Sequence, residues 1–354
     1  MTLRKWGWDD AWAEQAAQLG VDPAGLARVV GQDRGTWSLQ TRSGPQLSRY
    51  PSLSGAATSP VVGDWVHAEP GPMPTDPWSI LAVLPRRSSI SRGAAGTGKT
   101  EQVLAANVDK VWVVHGLDLP LNLRRMERYL TVVRESGAVP EIILTKSDLV
   151  NDVDTLVGQV QAVAMGATIR TVCKIDPTTV QELQDSLAPG STVSLFGPSG
   201  VGKSTLINLL ARTAVTRTGE VRESDGKGRH TTTRRELYLI PCGALLLDTP
   251  GIRELRRWVA KDGLSETFPD IEELARACKF RDCRHAKDPH CAVQEAISQG
   301  TLEPGRLESF QKLQSESEHD ARKSAPRGKD PALADRKTAL KTLKHHPKYK
   351  NRTR

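Results

Sequence analysis

Two stretches of the chain fit the pattern G-x-x-x-x-G-K-[ST] letter for letter, GAAGTGKT at 93–100 and GPSGVGKS at 197–204. Such a loop binds phosphate because the backbone N–H groups of a glycine-rich turn wrap the anion, a lysine adds charge, and the following helix points its positive end at it. The chemistry therefore requires a buried strand before the loop and a helix after it. STVSLF at 191–196 supplies the strand, and STLINLLAR at 204–212 supplies a helix with apolar residues at 206, 207, 209 and 210. GAAGTGKT comes after the polar RRSSISR and leads into the short EQVLAANVD. Lys203 is thus the expected phosphate lysine, with Gly197, Pro198, Ser199, Gly200, Val201, Gly202, Ser204 and Thr205 around the anion. GAAGTGKT reads as a chance match in a glycine-rich linker spanning 93–103.

The phosphate site extends to other segments. Ser204 carries the hydroxyl that ligates Mg²⁺ in such loops, and ALLLDTPG at 244–251 ends a second strand in D-x-x-G. Asp248 there is suited to hold Mg²⁺ through water, and the Gly251 N–H to sense the γ-phosphate. EIILTKSD ends a further strand at Thr145, Lys146, Ser147 and Asp148, a variant of N-K-x-D. A carboxylate at Asp148 accepts two hydrogen bonds from the N1 and N2 edge of guanine. Adenine lacks that donor pair, which favours GTP over ATP. Thr145 in place of the usual Asn predicts weaker polar bracing at this corner. ATIRTVCK then ends at Cys173 and Lys174, where a second base-contacting loop falls. These base-reading segments precede the phosphate loop, whereas ordinary GTPases place them after it. The order is circularly permuted, with a helix at about 178–187 and the turn APGS joining the former termini.

These segments need a scaffold, and 354 residues suffice for two or three domains. Residues 1–20 read as a short amphipathic helix with Trp8, Trp12 and Leu19 as contacts. From about 26 to 90, short β-type runs (ARVVG, TWSLQT, VVGDWVHAE, WSILAVL) separated by Gly, Pro and Ser predict a small barrel or sandwich. Alternating strand and helix signals come next, with a helix through NLRRMERYLTVVRESG, implying a largely parallel sheet. Beyond about 255 the pattern is helical. No apolar run is long enough to span a bilayer, and MTLRKWGWDDAW lacks the apolar stretch of an export signal, so the expected location is cytoplasmic. The net charge of +8 resides in the tail: residues 320–354 hold twelve Lys/Arg against three Asp/Glu, and the rest of the chain 37 against 38. Such a terminus attracts phosphate backbones.

In combination, VVGDWV, EQVLAANVDKVWVV, TKSD, GPSGVGKST, GRHTTT, DTPGIREL and a Cys/His cluster at 278–291 resemble the circularly permuted family of ribosome-small-subunit-dependent GTPase A (RsgA). The resemblance covers most of the chain. It implies a multidomain α/β protein: an oligonucleotide-binding (OB) β-barrel with the N-terminal helix (1–92), the linker, a permuted GTPase domain of mostly parallel sheet with flanking helices (104–254) and a helical zinc-binding domain (255–318), after which the sparse-apolar, Lys/Arg-rich composition predicts a disordered basic tail (319–354). It also implies action late in maturation of the small ribosomal subunit and on its rRNA, with hydrolysis of GTP to GDP stimulated by the subunit; the chain is expected to be a monomer.

GKGRHTTTRREL at 226–237 falls where a switch segment belongs, and Thr232 or Thr233 would complete Mg²⁺ ligation there. Ile252 stands where many GTPases carry a water-orienting Gln, which leaves His230 as the candidate catalytic group. Cys278, Cys283, His285 and Cys291 give C-x4-C-x-H-x5-C, four ligands that fit one closed, structural Zn²⁺ site. His290 is a rival ligand, and the family pattern favours His285. Two other readings are an RNA-binding scaffold using GTP as a static ligand, and an ATPase or nucleotide kinase, which Asp148 opposes. The choice between the two loops has a direct check with a fluorescent GTP analogue: Lys203→Ala abolishes binding and Lys99→Ala leaves it intact.

Overall fold

The computed structural model describes residues 3–33, 35–49, 59–73, 75–93, 101–212, 235–248, 261–280, 282–286 and 288–324. The chain divides into Met1–Ser317 and Glu318–Arg354. In the latter the described residues are the end of the last helix.

A 3-10 turn, Leu3–Trp6, precedes helix α1, Asp10–Gln18, which starts where the Asp9 carboxylate accepts the Trp12 N–H at 2.7 Å. Leu3, Trp12 and Ala16 pack against Leu26, Trp65 and Leu84. Leu19, expected as a contact, is 53% exposed because the helix ends at Gln18 and the chain turns through a left-handed Gly20.

Strands β1 (Leu26–Asp33), β2 (Thr36–Thr41), β3 (Gly44–Arg49), β4 (Trp65–Glu69) and β5 (Trp78–Val83) form a closed barrel. β1–β2, β2–β3, β4–β5 and β1–β4 pair antiparallel, and β3–β5 pairs parallel. Ala27, Val29, Trp37, Leu39, Val66, Ala68 and Ile80 fill the interior. β3, GPQLSR, escapes a reading based on apolar alternation because Leu47 is its single large apolar residue and is 66% exposed. Its partners hold it by backbone.

The expected linker is a hairpin instead. β6 (Ser89–Gly93) pairs antiparallel with β7 (Glu101–Ala106), so 93 and 101–103 are strand residues. Ile90, Leu104 and Ala105 are buried, and their contribution to the core outweighs the polar RRSSISR signal. Residues 94–100, including Lys99 and Thr100, lie outside the described residues. GAAGTGKT leads into strand β7 and not into the helix that a phosphate loop needs.

Next come β8 (Lys110–Gly116), α2 (Leu123–Glu135), β9 (Val139–Thr145), α3 (Val153–Ala164), β10 (Thr168–Val172), α4 (Pro177–Asp185), β11 (Thr192–Phe196), α5 (Lys203–Ala211), β12 (Arg235–Leu239) and β13 (Leu245–Asp248). Their sheet has the order β10-β9-β8-β11-β13-β12, with β12 antiparallel to β13 and the other neighbours parallel. Both faces are covered. Met126, Leu130 and Val160 of α2 and α3 meet Val111, Val113 and Ile142 on one face, while Leu183 of α4 and Leu206 and Leu210 of α5 meet Trp112, Val114 and Ile143 on the other. Burial on two faces is why these strands read as continuous apolar runs.

β12 occupies the end of the expected switch segment. It pairs with β13 on one side and on the other with β1, through Gly31↔Glu236 and Gln32↔Arg235, so one sheet runs from the GTPase part into the barrel. VVGDWV makes a second joint. The Asp64 carboxylate accepts both Nε and Nη2 of Arg86 at 2.7 Å and the Val61 N–H at 2.8 Å. A Cβ on Gly63 would lie 2.0 Å from the Ala106 carbonyl oxygen of β7, so no other residue fits. Arg28, fully buried on the outer face of β1, is the third joint. It donates to the carbonyls of Trp6 and Asn107 and to Thr192 Oγ1, while burial lowers its pKa to about 10.

Helices α6 (Lys261–Thr267), α7 (Pro269–Arg276), α8 (Ala292–Ser298) and α9 (Pro304–Ser324) complete the described chain. α9 runs six residues past the expected start of the tail, and 325–354 lie outside the described residues. The helices dock on α2 at backbone distance, since a Cβ on Gly263 would be 2.5 Å from the Thr131 carbonyl. The buried Arg306 then donates to Glu127 of α2 at 2.7 Å, to both carboxylate oxygens of Asp270 and to the Thr267 carbonyl. Burial raises the Glu127 pKa, and Arg306 opposes that shift.

Candidate nucleotide and metal sites

The loops after β9, β10 and β11 emerge at the carboxyl ends of parallel strands on either side of β8, where open α/β sheets bind ligands. They enclose a cavity of about 420 Å³ lined by Thr145, Lys146, Asp148, Lys174, Ser199, Gly200, Gly202, Lys203, Ser204 and Thr205, together with Leu149, Val172, Leu206 and Leu209. Ten of the expected nucleotide residues therefore face one space, although the base-reading and phosphate-binding sets lie on opposite sides of the permutation. The four apolar lining residues escape sequence reasoning. Leu206 and Leu209 fit the apolar face of a helix, and position alone separates a lining leucine from a packed one.

Backbone conformation makes the phosphate loop. Gly197 has φ 151°, and a Cβ there would stand 2.3 Å from the Val114 carbonyl oxygen. Gly202 caps α5 in the left-handed region, and the first turn of that helix carries no acidic side chain to compete with an anion. Lys203 Nζ donates to the carbonyls of Gly197 at 2.7 Å and of Pro198. Val201 is buried beneath the loop and its carbonyl faces β9.

At the base-reading end, the Thr145 hydroxyl donates to that Val201 carbonyl at 2.6 Å. Polar bracing at this corner is therefore present with Thr in place of Asn: a β-branched hydroxyl on the last residue of β9 spans the short distance between the two loops. Asp148 is exposed to the cavity, and Cys173 Sγ donates to its Oδ1 at 3.3 Å. Cys173 does not line the cavity; it holds the carboxylate that does. Ser147 does not line it either. Ser204 opens on the cavity, and Asp248 ends β13. Gly251, His230, Thr232 and Thr233 lie outside the described residues.

The second site is the Cys/His group. One ligand atom from each of Cys278, Cys283, His285 and Cys291 lies within 4.8 Å of the others. Cys278 Sγ stands 3.9 Å from Cys291 Sγ and 3.6 Å from His285 Nδ1, and His285 Nδ1 stands 3.4 Å from Cys291 Sγ. Zinc–sulfur bonds of about 2.3 Å place tetrahedral sulfurs about 3.8 Å apart, so the donor set fits Zn²⁺. His285 adopts a left-handed backbone (φ 56°), and the Gln294 amide donates to its carbonyl at 2.6 Å. Burial lowers the pKa of its ring, which favours the neutral, ligating form. His290 is not in the group.

Comparison with known proteins decides the family. Residues 83–258 match the RsgA GTPase family. Small ribosomal subunit biogenesis GTPase RsgA 2 of Vibrio vulnificus is 39% identical over 90% of this chain and 89% of its own length, and the RsgA of Opitutus terrae is 41% identical over 92% of each. The chain belongs to the RsgA GTPase family. It is accordingly a GTP-hydrolysing enzyme. The crystal structure of YjeQ from Thermotoga maritima shares the fold of this RsgA-family chain at a TM-score of 0.61 and 24% identity, covering 82% of this chain and 98% of that one. YloQ, described as a circularly permuted GTPase, does so at a TM-score of 0.59 and 22% identity, over 83% and 95%. Among the described residues no helix is long and apolar enough to cross a membrane.

This geometry has two measurable consequences. Thr145→Val strands the buried Val201 carbonyl and weakens GTP binding by about five- to tenfold in equilibrium titration, whereas Thr145→Asn retains it. Metal analysis of the purified protein finds about one zinc per chain, and Cys291→Ala lowers that content; a metal-free wild-type protein would contradict the assignment.

Proposed function

We propose that this protein is an assembly factor that binds the small ribosomal subunit and its rRNA during late maturation in the cytoplasm, and that GTP hydrolysis stimulated by the subunit releases it. The observation that carries this reading is the single cavity on which Asp148 and the Lys203 loop both open, in a chain that is 39% identical over 90% of its length to a small ribosomal subunit biogenesis GTPase. The barrel has OB connectivity, with parallel β3–β5 closing an otherwise antiparallel set, a surface type that binds oligonucleotides. The basic tail adds phosphate attraction.

In the proposed site Asp148 reads the guanine edge, Lys146 and Lys174 flank the base, and residues 197–205 hold the phosphates. Mg²⁺ would be held by Ser204, by Thr232 or Thr233, and through water by Asp248, and would neutralise charge on the β- and γ-phosphates. Gly251 contacts the γ-phosphate, and His230 orients the attacking water, as Ile252 offers no polar group for that task. Zn²⁺ held by Cys278, Cys283, His285 and Cys291 stabilises the loop between α7 and α8. The barrel and GTPase domains meet at the paired strands β6 and β7, and the helices beyond 255 form the zinc domain, which Arg306 fastens to α2.

The test is GTP turnover with and without purified small subunits. Subunits accelerate the wild-type protein, Lys203→Ala abolishes turnover through loss of binding, and His230→Ala lowers stimulated turnover by about a hundredfold with binding retained. Absence of stimulation in the wild type would favour a scaffold that carries GTP as a static ligand.

A further inference from the structure

Three lysines, Lys146, Lys174 and Lys203, line the nucleotide cavity. Lys203 is engaged with the carbonyls of its own loop. Lys146 is engaged outside it: its Nζ donates to Asp118 Oδ2 at 2.6 Å, with the side chains 28% and 29% exposed. Asp118 belongs to none of the motifs read from the sequence. It lies two residues beyond β8, in a turn closed by the Leu119 N–H to the Gly116 carbonyl at 3.1 Å. The backbone is shaped for this pair. A Cβ on Gly116 would lie 2.5 Å from Asp118 Oδ1, 3.5 Å from Val201 Cα and 3.6 Å from Lys146 Cδ, and Lys146 itself takes a left-handed conformation (φ 61°) at the end of β9.

Such a pair, one-quarter exposed, is partly screened and contributes little stability by itself. Its effect is geometric. A lysine stem has four carbons and many rotamers, and fixing the ammonium at Asp118 leaves the methylenes as one wall of the cavity, beside Asp148. It also neutralises one of three like charges without filling the space. We propose that Asp118 is a positioning residue for guanine-nucleotide binding, holding the Lys146 stem flat against the face of the base while Asp148 reads its edge. This rests on the GTP reading of the site. The carboxylate acts through Lys146 and does not touch the nucleotide.

The experiment is equilibrium binding of GDP and of inorganic tripolyphosphate to the full chain as wild type, Asp118→Ala, Asp118→Asn, Lys146→Met and the double variant Asp118→Ala/Lys146→Met. Asp118→Ala and Asp118→Asn raise the Kd for GDP by about three- to tenfold and leave tripolyphosphate binding unchanged. A general loss of site structure would weaken both ligands. The double variant binds GDP no more weakly than Lys146→Met alone, because Asp118 has nothing left to position. Wild-type affinity in Asp118→Asn, or losses that add in the double variant, overturns the proposal. If Asp118→Ala does not fold, the isosteric Asp118→Asn decides. Wild-type protein that binds no GDP would sink the GTP reading itself, a different result from GDP binding unchanged in the variants.

Discussion

The site depends on the parallel pairing of β8 with β11, in the register Lys110↔Val193 to Val113↔Phe196. Strands β9 and β10 carry the loops expected to read the base, and β11 the loop expected to bind the phosphates, so this seam between β8 and β11 places the two halves in one sheet. At its carboxyl end Gly197 passes the Val114 carbonyl at a distance no Cβ permits, and Val201 lies over Gly116. The Thr145 hydroxyl then reaches the Val201 carbonyl. A shift of one residue would turn Trp112 and Val113 to the wrong faces and separate these groups.

The permutation becomes physically simple in this light. Pairing does not depend on which strand comes first along the chain, only on a connection of the right length. α4 and the turn 186–191 supply it: the Gly190 N–H donates to the Gly243 carbonyl at 2.8 Å, and the Thr192 N–H donates to Asp109 Oδ2 at 2.7 Å. The reordering leaves β12 and β13 as the last strands of the GTPase sheet. β12 is hydrogen-bonded to the barrel's β1, and the chain beyond β13 continues toward helices docked on α2. The strand that ends the first expected switch segment, β12, is thereby tied directly to the barrel.

Two buried arginines hold the parts together: Arg28 of the barrel with the Asn107 carbonyl and Thr192 Oγ1, and Arg306 of the helical part with Glu127 of α2. Each gives polar partners to a charge that would be costly to bury alone. Each also requires partners from sequence-distant segments, so it forms only when the parts are correctly docked.

The range of each interaction set how much of it was legible in the sequence. The phosphate loop, the strand end expected to read guanine and the Cys/His group are local: spacing within 197–205, 145–148 and 278–291 carries their chemistry, because a glycine turn, a strand terminus or a tetrahedral ligand set needs only neighbouring residues. The α/β alternation and most of the barrel strands were legible for the same reason, through side-chain periodicity. The features that escaped are non-local. β3 and β12 are strands because their backbones find partners, not because their side chains alternate, and β6 and β7 are strands because Ile90 and Leu104 reach a core that no short window contains. The partner that Thr145 braces, the Val201 carbonyl, is 56 residues away in the chain, and Asp118 reads as a loop residue until Lys146 stands beside it. Residue types and their local spacing settled which chemistries this chain carries. Only the folded chain decided which residues share a cavity, because that is set by strand order and register, and neither is written at any single position.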